Sequence, residues 1–175
     1  MMKRRTSEII FRSISKQEFE AYKEWTVKDY AESMLKEGQF STIEEAIQES
    51  LADFLEGLPD GLDTSDNSLN VVENLEGDVI GFLWYETINK KRAFIEDIII
   101  KEQYRRQGYG TAVLEKLSEI LINQGIYRIV LHVFESNFSA RVLYEKVGFT
   151  YLEVTDTESG SMYMAINMDV DRTIL

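Results

Sequence analysis

The sequence predicts an α/β fold, in which a central mixed β-sheet of about seven strands is flanked by about four helices. Two observations lead to this class. Segments with β-branched runs, or with apolar residues at every second position, alternate with segments whose apolar residues recur every three or four positions. The strand–helix–strand unit from Ala93 to Phe134 also requires two parallel strands joined by a right-handed crossover, after a meander of three strands.

The first 62 residues predict one strand followed by two helices. Ile9–Ile14 is short and apolar-rich, as expected of a strand, and Lys16–Glu37 has apolar residues at helical spacings. Ser41 or Thr42 is expected to cap the second helix, since Thr42–Glu45 forms a capping box, and the turn at 57–61 ends it. The predicted buried positions of this helix are Ile43, Ala46, Ile47, Leu51, Phe54 and Leu55.

Beyond residue 68 the pattern changes to period two, and a hairpin is predicted to turn at Gly77-Asp78. The predicted strands are Leu69–Leu75, Val79–Ile88, Ala93–Ile100, Tyr127–Phe134, Phe149–Val154 and Ser161–Met168. The predicted helices of this part are Gly110–Gln124 and Asn137–Lys146. Since neither a repeat nor a low-complexity linker interrupts the pattern, residues 1–175 are expected to form a single domain.

The residue composition excludes several kinds of site. The chain of 175 residues contains no cysteine, so a disulfide framework and a thiolate zinc site are impossible. His132 is the only histidine, which also excludes imidazole-rich metal sites, and no metal is expected. His132 lies in a buried-strand pattern, which favours a core or cleft residue over a catalytic one.

The charge and hydropathy patterns restrict the partners. No stretch approaches the ~18 apolar residues of a membrane-spanning helix, and the basic start lacks the apolar region of a signal peptide, so a cytoplasmic protein without a membrane partner is expected. The net charge of −12 argues against nucleic-acid binding, which depends on basic surface. It permits a cationic substrate, although excess surface acid also serves solvation. The sequence gives no indication of the oligomeric state, and a homodimer remains one alternative.

The segment Ile98–Thr111 carries the strongest functional signal. A buried strand runs into a turn with Gly108 and Gly110, and a helix begins at once. Backbone N–H groups at a helix N-terminus lack partners and bind anionic oxygens. Arg105 and Arg106 add positive charge here in an otherwise acidic chain. The segment therefore predicts a phosphate-binding loop, although paired glycines also serve tight packing.

Two familiar phosphate loops do not match. The P-loop of nucleotide hydrolases requires a lysine before its Ser or Thr, and Gly110-Thr111 lacks it. The dinucleotide fingerprint requires a third glycine at position 113, which is valine. The remaining pattern, Arg105-x-x-Gly108-x-Gly110, resembles the coenzyme A pyrophosphate loop of the GNAT (GCN5-related N-acetyltransferase) superfamily.

A second motif supports the same resemblance. The run Asn137–Phe149 looks like the superfamily segment Asn-x-x-Ala-x-x-x-Tyr-x-x-x-Gly-Phe, and the likeness covers about residues 70–168. It implies a GNAT fold of the small bacterial type and acetyl-coenzyme A (acetyl-CoA) as acyl donor. Asn137 would bind the pantetheine end of the coenzyme, or be a plain helix cap. Lys146 would reach the phosphates, or be a solvated surface charge.

The resemblance assigns the rest of the coenzyme site to backbone groups. The strand that holds the pantetheine arm would be Ile98, Ile99 and Ile100. The cradle of the pyrophosphate would be Arg105, Arg106, Gln107, Gly108, Tyr109, Gly110 and Thr111.

The resemblance also implies an acid and a base for proton transfer. Tyr144 stands at the family's general-acid position, and a phenol with a reference pKa of ~10 can donate at neutral pH. A core tyrosine is the alternative, since Tyr144 follows Ala140 by one helical turn. Glu96 is the candidate base. Burial of a carboxylate inside an apolar strand disfavours its charged form and raises its pKa toward values useful for a base.

The position of the base departs from the common family pattern. Many members carry their glutamate two residues earlier, at the position of Phe94, whereas polyamine acetyltransferases have a pair similar to Glu96-Asp97. A pairing of Glu96 with Arg92 or Lys101 stays open. Strict alternation predicts two faces for this strand. They are Phe94, Glu96 and Ile98 on one side and Ile95, Asp97 and Ile99 on the other.

The predicted activity is therefore N-acetyl transfer from acetyl-CoA to a primary amine of a small molecule or peptide, directly in a ternary complex. Residues 16–62 contain 12 acidic and 4 basic residues, and the first two helices of the family usually line the acceptor site. This favours a cationic acceptor such as a polyamine. The alternative is a non-catalytic acyl-CoA sensor, which has no need of a phenol at Tyr144.

Overall fold

The computed structural model describes residues 8–153 and 160–169, and within them it contains four α-helices and seven strands, as predicted. The helices are α1 Lys16–Lys36, α2 Ile43–Gly57, α3 Tyr109–Asn123 and α4 Phe138–Val147. The strands are β1 Ile9–Ser13, β2 Asn67–Asn74, β3 Val79–Ile88, β4 Arg92–Ile100, β5 Arg128–Phe134, β6 Thr150–Tyr151 and β7 Ser161–Asn167. The predicted end of the sixth strand, Val154, lies outside the described residues. No helix within them has the length and apolar character needed to cross a membrane.

Side-chain caps start three of the helices, and those of α2 and α4 lie where the sequence predicts them. Ser15 and Glu18 form a capping box at α1, and Thr42 and Glu45 form another at α2. Asn137 caps α4 by accepting from the Ala140 N–H. The helix α3 has no side-chain cap, which leaves its first N–H groups free for other acceptors.

The strands form one sheet in the order β1-β2-β3-β4-β5-β7-β6. All neighbours are antiparallel except β4 and β5, whose parallel pairing confirms the predicted crossover through α3. These two strands pair only where Ala93–Ile95 faces Ile129–Leu131, and beyond these residues they separate. The sheet therefore has a gap between the last residues of β4 and β5.

Each face of the sheet carries its own hydrophobic core. The core that includes α3 contains the fully buried Leu114, Leu117 and Leu121, each worth about 1.5–3 kcal/mol of burial free energy. The second core, on the α1 and α2 side, includes Tyr22 and Phe54. The two helix pairs thus hold the sheet from opposite sides, and the gap lies between them.

The buried face of α2 differs from the predicted stripe. Leu51 and Leu55 were expected inside, but they are 38% and 52% exposed. Ser50 is buried instead, and its Oγ donates to the Val27 carbonyl oxygen of α1 at 2.8 Å. A small hydroxyl residue here lets the two helices approach closely, so the neighbouring leucines face outward.

A β-bulge interrupts β4 at Glu96. Trp84 on β3 lies opposite Asp97, but the next residue, Tyr85, lies opposite Ile95. Glu96 is therefore an extra residue without a partner on β3. Such a residue bends its strand and shifts the alternation of every side chain after it.

The predicted faces of β4 are wrong for this reason. Strict alternation grouped Phe94, Glu96 and Ile98, and grouped Ile95, Asp97 and Ile99. In the structure Ile95 is buried in the first core and Ile98 packs against that same core, whereas Ile99 belongs to the second core. Both Glu96 and Asp97 consequently face a cavity on the α1 and α2 side.

Candidate functional site

The turn before α3 presents backbone N–H groups to solvent. Arg106 and Gly108 both have positive φ, 63° and 89°, and Gly108 is the cap residue of the helix. The first helical hydrogen bond runs from the Ala112 N–H to the Gly108 carbonyl oxygen at 3.1 Å. In the preceding turn the Arg105 N–H donates to the Glu102 carbonyl oxygen at 3.1 Å, and α3 itself begins without a side-chain acceptor for its first N–H groups, as an anion site requires.

Side chains brace this loop against the strand before it. The Arg105 Nε donates to the Ile100 carbonyl oxygen at 2.8 Å, and the Gln107 Nε2 donates to the Gln103 carbonyl oxygen at 2.8 Å. Gly110 has a packing role, because a Cβ there would lie 2.8 Å from Leu143 Cδ2 of α4. The left-handed φ favours glycine at Gly108, whereas a side chain at Gly110 would require Leu143 to shift.

Helix α4 places Tyr144 in the core on the α3 side of the sheet. The Tyr144 side chain is 8% exposed and its ring lies 5.7 Å from that of Phe149. Burial, and then the charge of Asp97, raise the pKa of its hydroxyl above the ordinary value, so it stays protonated. Lys146 is exposed in the last turn of the same helix. The Asn137 oxygen is used by the helix cap.

A cavity of about 360 Å³ opens between the sheet and helices α1 and α2. Its lining joins carboxylates, aromatic rings and the single histidine. The lining residues are Thr26, Val27, Asp29, Tyr30, Ser50, Asp53, Phe54, Trp84, Phe94, Glu96, Asp97, His132, Ser161 and Tyr163. Four of these are carboxylates, and within the described part of the chain no lysine or arginine joins them.

Glu96 has the properties of a base at neutral pH. Water reaches its side chain through the cavity, yet the surrounding walls remove enough solvent to raise the pKa to about 7. The charges of Glu86 and Asp97 raise it further. Among the described residues, no ion pair joins Glu96 to Arg92 or Lys101, so that alternative finds no support.

Asp97 is held by helix α1. Its Oδ2 accepts hydrogen bonds from the Tyr22 hydroxyl at 2.8 Å and from Thr26 Oγ1 at 2.7 Å. Burial raises the pKa of Asp97 to about 6, and the two hydrogen bonds oppose that rise. The sequence named Asp97 as the neighbour of the candidate base but gave no signal for these partners, which lie 75 and 71 positions away.

His132 is a cleft residue, which agrees with the sequence analysis. Its ring lies 4.8 Å from that of Phe134 and 5.5 Å from that of Tyr163, and it lines the cavity. Burial lowers the pKa of His132, and Glu37 opposes this shift. The imidazole is therefore neutral at physiological pH.

Sequence reasoning missed the carboxylates that α1 and α2 bring to the cavity. Asp29 and Asp53 line it, and burial raises the pKa of both. The charge of Glu32 raises the pKa of Asp29 further, while that of Arg105, in the predicted phosphate-binding loop, opposes this rise. The acid excess of residues 16–62 was a usable signal, but only the helix packing selects which of these carboxylates face the cavity.

Comparisons with known proteins agree on one family. The model of the acetyltransferase (GNAT) family matches residues 18–149. The uncharacterised N-acetyltransferase YycN of Bacillus subtilis is 35% identical over 149 residues, 83% of this chain and 95% of that protein. The thialysine N-epsilon-acetyltransferase of Mus musculus is 36% identical over 64 residues, which is 37% of this chain and 38% of that protein.

Solved structures give the same result. The crystal structure of YycN has a TM-score of 0.79 at 34% identity, covering 85% of this chain and 96% of that one. The spermidine N-acetyltransferase of Vibrio cholerae, in complex with CoA and spermine, has a TM-score of 0.65 at 17% identity, covering 93% and 96%. This second likeness concerns the fold alone.

Proposed function

This chain belongs to the acetyltransferase (GNAT) family and is an acyltransferase, and from that premise we propose that it transfers an acetyl group from acetyl-CoA to a primary amine of a small molecule or peptide. Transfer is direct, in a ternary complex. The observation that carries the proposal is the unpaired edge of β4 beyond Ile95, on the strand that also brings Glu96 into the acidic cavity.

The coenzyme fits the free edge of β4. Beyond Ile95 this edge has no partner on β5, so the backbone of Ile98–Ile100 can pair with the amide groups of a pantetheine arm. The N–H groups of the loop Arg105–Thr111 then meet the pyrophosphate, except that of Arg105, which donates to the Glu102 carbonyl oxygen at 3.1 Å. Two proteins of the same fold were solved with coenzyme A, one from Vibrio cholerae and one from Thermoplasma acidophilum.

A matched pair of glycine variants tests the phosphate-binding loop. Gly108→Val places a side chain on the residue with φ of 89° among the anion-binding N–H groups, and we expect it to abolish binding of acetyl-CoA. Gly125→Val is the control, because Gly125 has φ of 79° at the other end of α3 with nothing within 4 Å of a Cβ. Calorimetric titration measures both. Equal affinities in the two folded variants would refute the loop assignment.

The chemistry needs one proton accepted and one donated. The acceptor amine must lose a proton to attack the thioester carbon, and Glu96, with a pKa of about 7, can accept it on its carboxylate. As the carbon–sulfur bond breaks, the leaving thiolate needs a proton, and Tyr144 donates it from a hydroxyl that burial keeps protonated. Glu96 and Tyr144 act from opposite sides of the gap, so the amine and the thioester meet inside it.

The cavity favours an acceptor with a second positive charge. Four carboxylates line the cavity, and although Arg105 acts on Asp29, no lysine or arginine is among the described lining residues. A cleft lined by charge of one sign concentrates ligands of the other. Aromatic rings such as Tyr30 and Trp84 add faces that attract cations. Polyamines and lysine-like side chains have a second positive charge besides the reacting amine, whereas an acceptor that reacts at a peptide N-terminus does not need one.

A panel of polyamines, amino acids, aminoglycosides and peptides at two ionic strengths tests the acceptor class. We expect dicationic amines to give the highest kcat/KM, with an advantage that shrinks as the Debye length falls from about 10 Å at 0.1 M salt to about 3 Å at 1 M. Asp53→Asn should reduce this advantage. Glu24→Gln, which removes an exposed charge on α1 outside the cavity lining, should not. Preference for neutral amines at low salt would refute the cationic acceptor.

A further inference from the structure

The bulge at Glu96 requires a partner that holds it in place. An extra residue in one strand breaks the regular pairing with β3, and a regular β4 would return Glu96 and Asp97 to opposite faces of the sheet. The observed strand instead turns both carboxylates to the cavity side, close enough that the charge of Asp97 raises the pKa of Glu96. Contacts on the α1 and α2 side of the sheet must therefore stabilise the bulge.

Helix α1 provides the stabilising contacts through two residues one helical turn apart. The Tyr22 hydroxyl and Thr26 Oγ1 donate to the same Asp97 oxygen at 2.8 and 2.7 Å. A buried carboxylate is costly unless donors satisfy it, so these hydrogen bonds favour the register that directs Asp97 toward α1. Tyr22 is itself fixed, since it is 2% exposed and its ring lies 5.2 Å from that of Phe82.

We infer that Tyr22 and Thr26 are positioning residues for proton transfer: by binding Asp97 they hold the β4 bulge that directs Glu96 into the acceptor cavity. The inference rests on the proposed role of Glu96 as base. Neither Tyr22 nor Thr26 exchanges a proton with the substrate in this scheme. They affect proton transfer from the acceptor amine only indirectly, by fixing the position of Glu96, the extra residue of the bulge.

The same contacts tune the charge beside the base. Hydrogen bonds from Thr26 and Tyr22 lower the pKa of Asp97, and the resulting negative charge raises that of Glu96. The other titratable groups that act on this pair come from three elements: Asp29 and Tyr30 from α1, Glu86 from β3 and Tyr144 from α4. Removing a donor should therefore make Asp97 neutral at a higher pH and shift the ionisation of Glu96 to a lower one.

Thr26→Val and Tyr22→Phe test the inference, because each removes one donor with little change in volume. We expect kcat to fall by about 10- to 100-fold, the range for misplacement of a reacting group, with the Kd of acetyl-CoA unchanged. The acidic limb of the pH–rate profile should move to lower pH. Thr26→Ser keeps the hydroxyl and should restore both the rate and the profile.

Ser118→Ala is the control for loss of a buried hydroxyl elsewhere, since Ser118 Oγ donates to the Leu114 carbonyl oxygen inside α3. It should lower Tm at most, with kcat and the pH profile unchanged. If Thr26→Val and Tyr22→Phe keep the wild-type kcat and profile while Glu96→Gln is inactive, the positioning role is refuted alone. If Glu96→Gln also keeps the wild-type profile, the assignment of the base fails and the inference fails with it.

Discussion

Replacing Glu96 with glutamine removes the candidate base and keeps the size of its side chain. With a pKa of about 7, Glu96 is ionised in about one tenth of molecules at pH 6 and in about nine tenths at pH 8. The wild-type rate should therefore rise roughly ten-fold over this interval from Glu96 alone. General base catalysis contributes about 10²- to 10⁴-fold, so Glu96→Gln should be slower by that factor at pH 8.

The assay is kcat/KM from release of free coenzyme A thiol, measured from about pH 5.5 to about pH 9. The acceptor amine also loses a proton over this range, but equally for both proteins, so the ratio of wild type to Glu96→Gln isolates the contribution of Glu96. Glu86→Gln gives an independent check, because loss of that charge lowers the pKa of Glu96 and moves the limb to lower pH. A ratio that is constant with pH would exclude Glu96 as the base.

Three further predictions follow from other contacts. Tyr144→Phe should lower kcat by about 10²- to 10⁴-fold with coenzyme affinity unchanged in calorimetry, and a wild-type kcat would leave Tyr144 a core residue only. Gly81→Ala should destabilise the fold by about 3 kcal/mol or more in urea denaturation, because its Cβ would overlap the Ile99 carbonyl oxygen; a smaller loss would mean that β3 and β4 separate easily. Hydrogen bonds from Arg12 hold the pKa of Glu18 at about 2 against an ordinary 4.5, so Glu18 stabilises the fold above about pH 4.5 and loses this effect as the pH falls towards 2. Glu18→Gln should therefore lower Tm at neutral pH, with a difference that disappears near pH 2; a constant difference would contradict the pairing.

The order of helices and strands could be predicted from the sequence, because capping boxes and hydrophobic periodicity depend only on residues that are close together in the chain. The start of α2 at Thr42 and the crossover from β4 to β5 are confirmed on that basis. The bulge at Glu96 was not predictable, since it depends on a pairing register with β3 and on donors from α1. The exposure of Leu51 was missed for a similar reason, because the rotation of α2 is set by its contact with α1.

The candidate site likewise has one part that could be predicted from a short run of residues and one part that depends on tertiary packing. The phosphate-binding loop depends on a short run of residues, and the sequence placed it at Arg105–Thr111, where the structure shows a helix start without a side-chain cap. The lining of the cavity comes from six elements of the chain, so its carboxylates Asp29 and Asp53 could not be selected from the acid excess alone. The roles assigned to Glu96 and Tyr144 stay predictions until variants are assayed.

The short pairing between β4 and β5 has a mechanical consequence. Three residue pairs join the two halves of the sheet, whereas eight join β3 to β4 within one half. Beyond this junction other contacts reach the second half of the sheet: the Tyr30 ring of α1 lies 5.3 Å from that of Phe134, and the carboxylate of Glu37, just after α1, accepts from the Ser136 N–H at 3.2 Å. The core that includes α3 contains residues of both halves, such as Leu83 and Leu131. Beyond the three backbone pairs, the two halves of the sheet are therefore held together by side-chain packing and not by a continuous hydrogen-bond ladder.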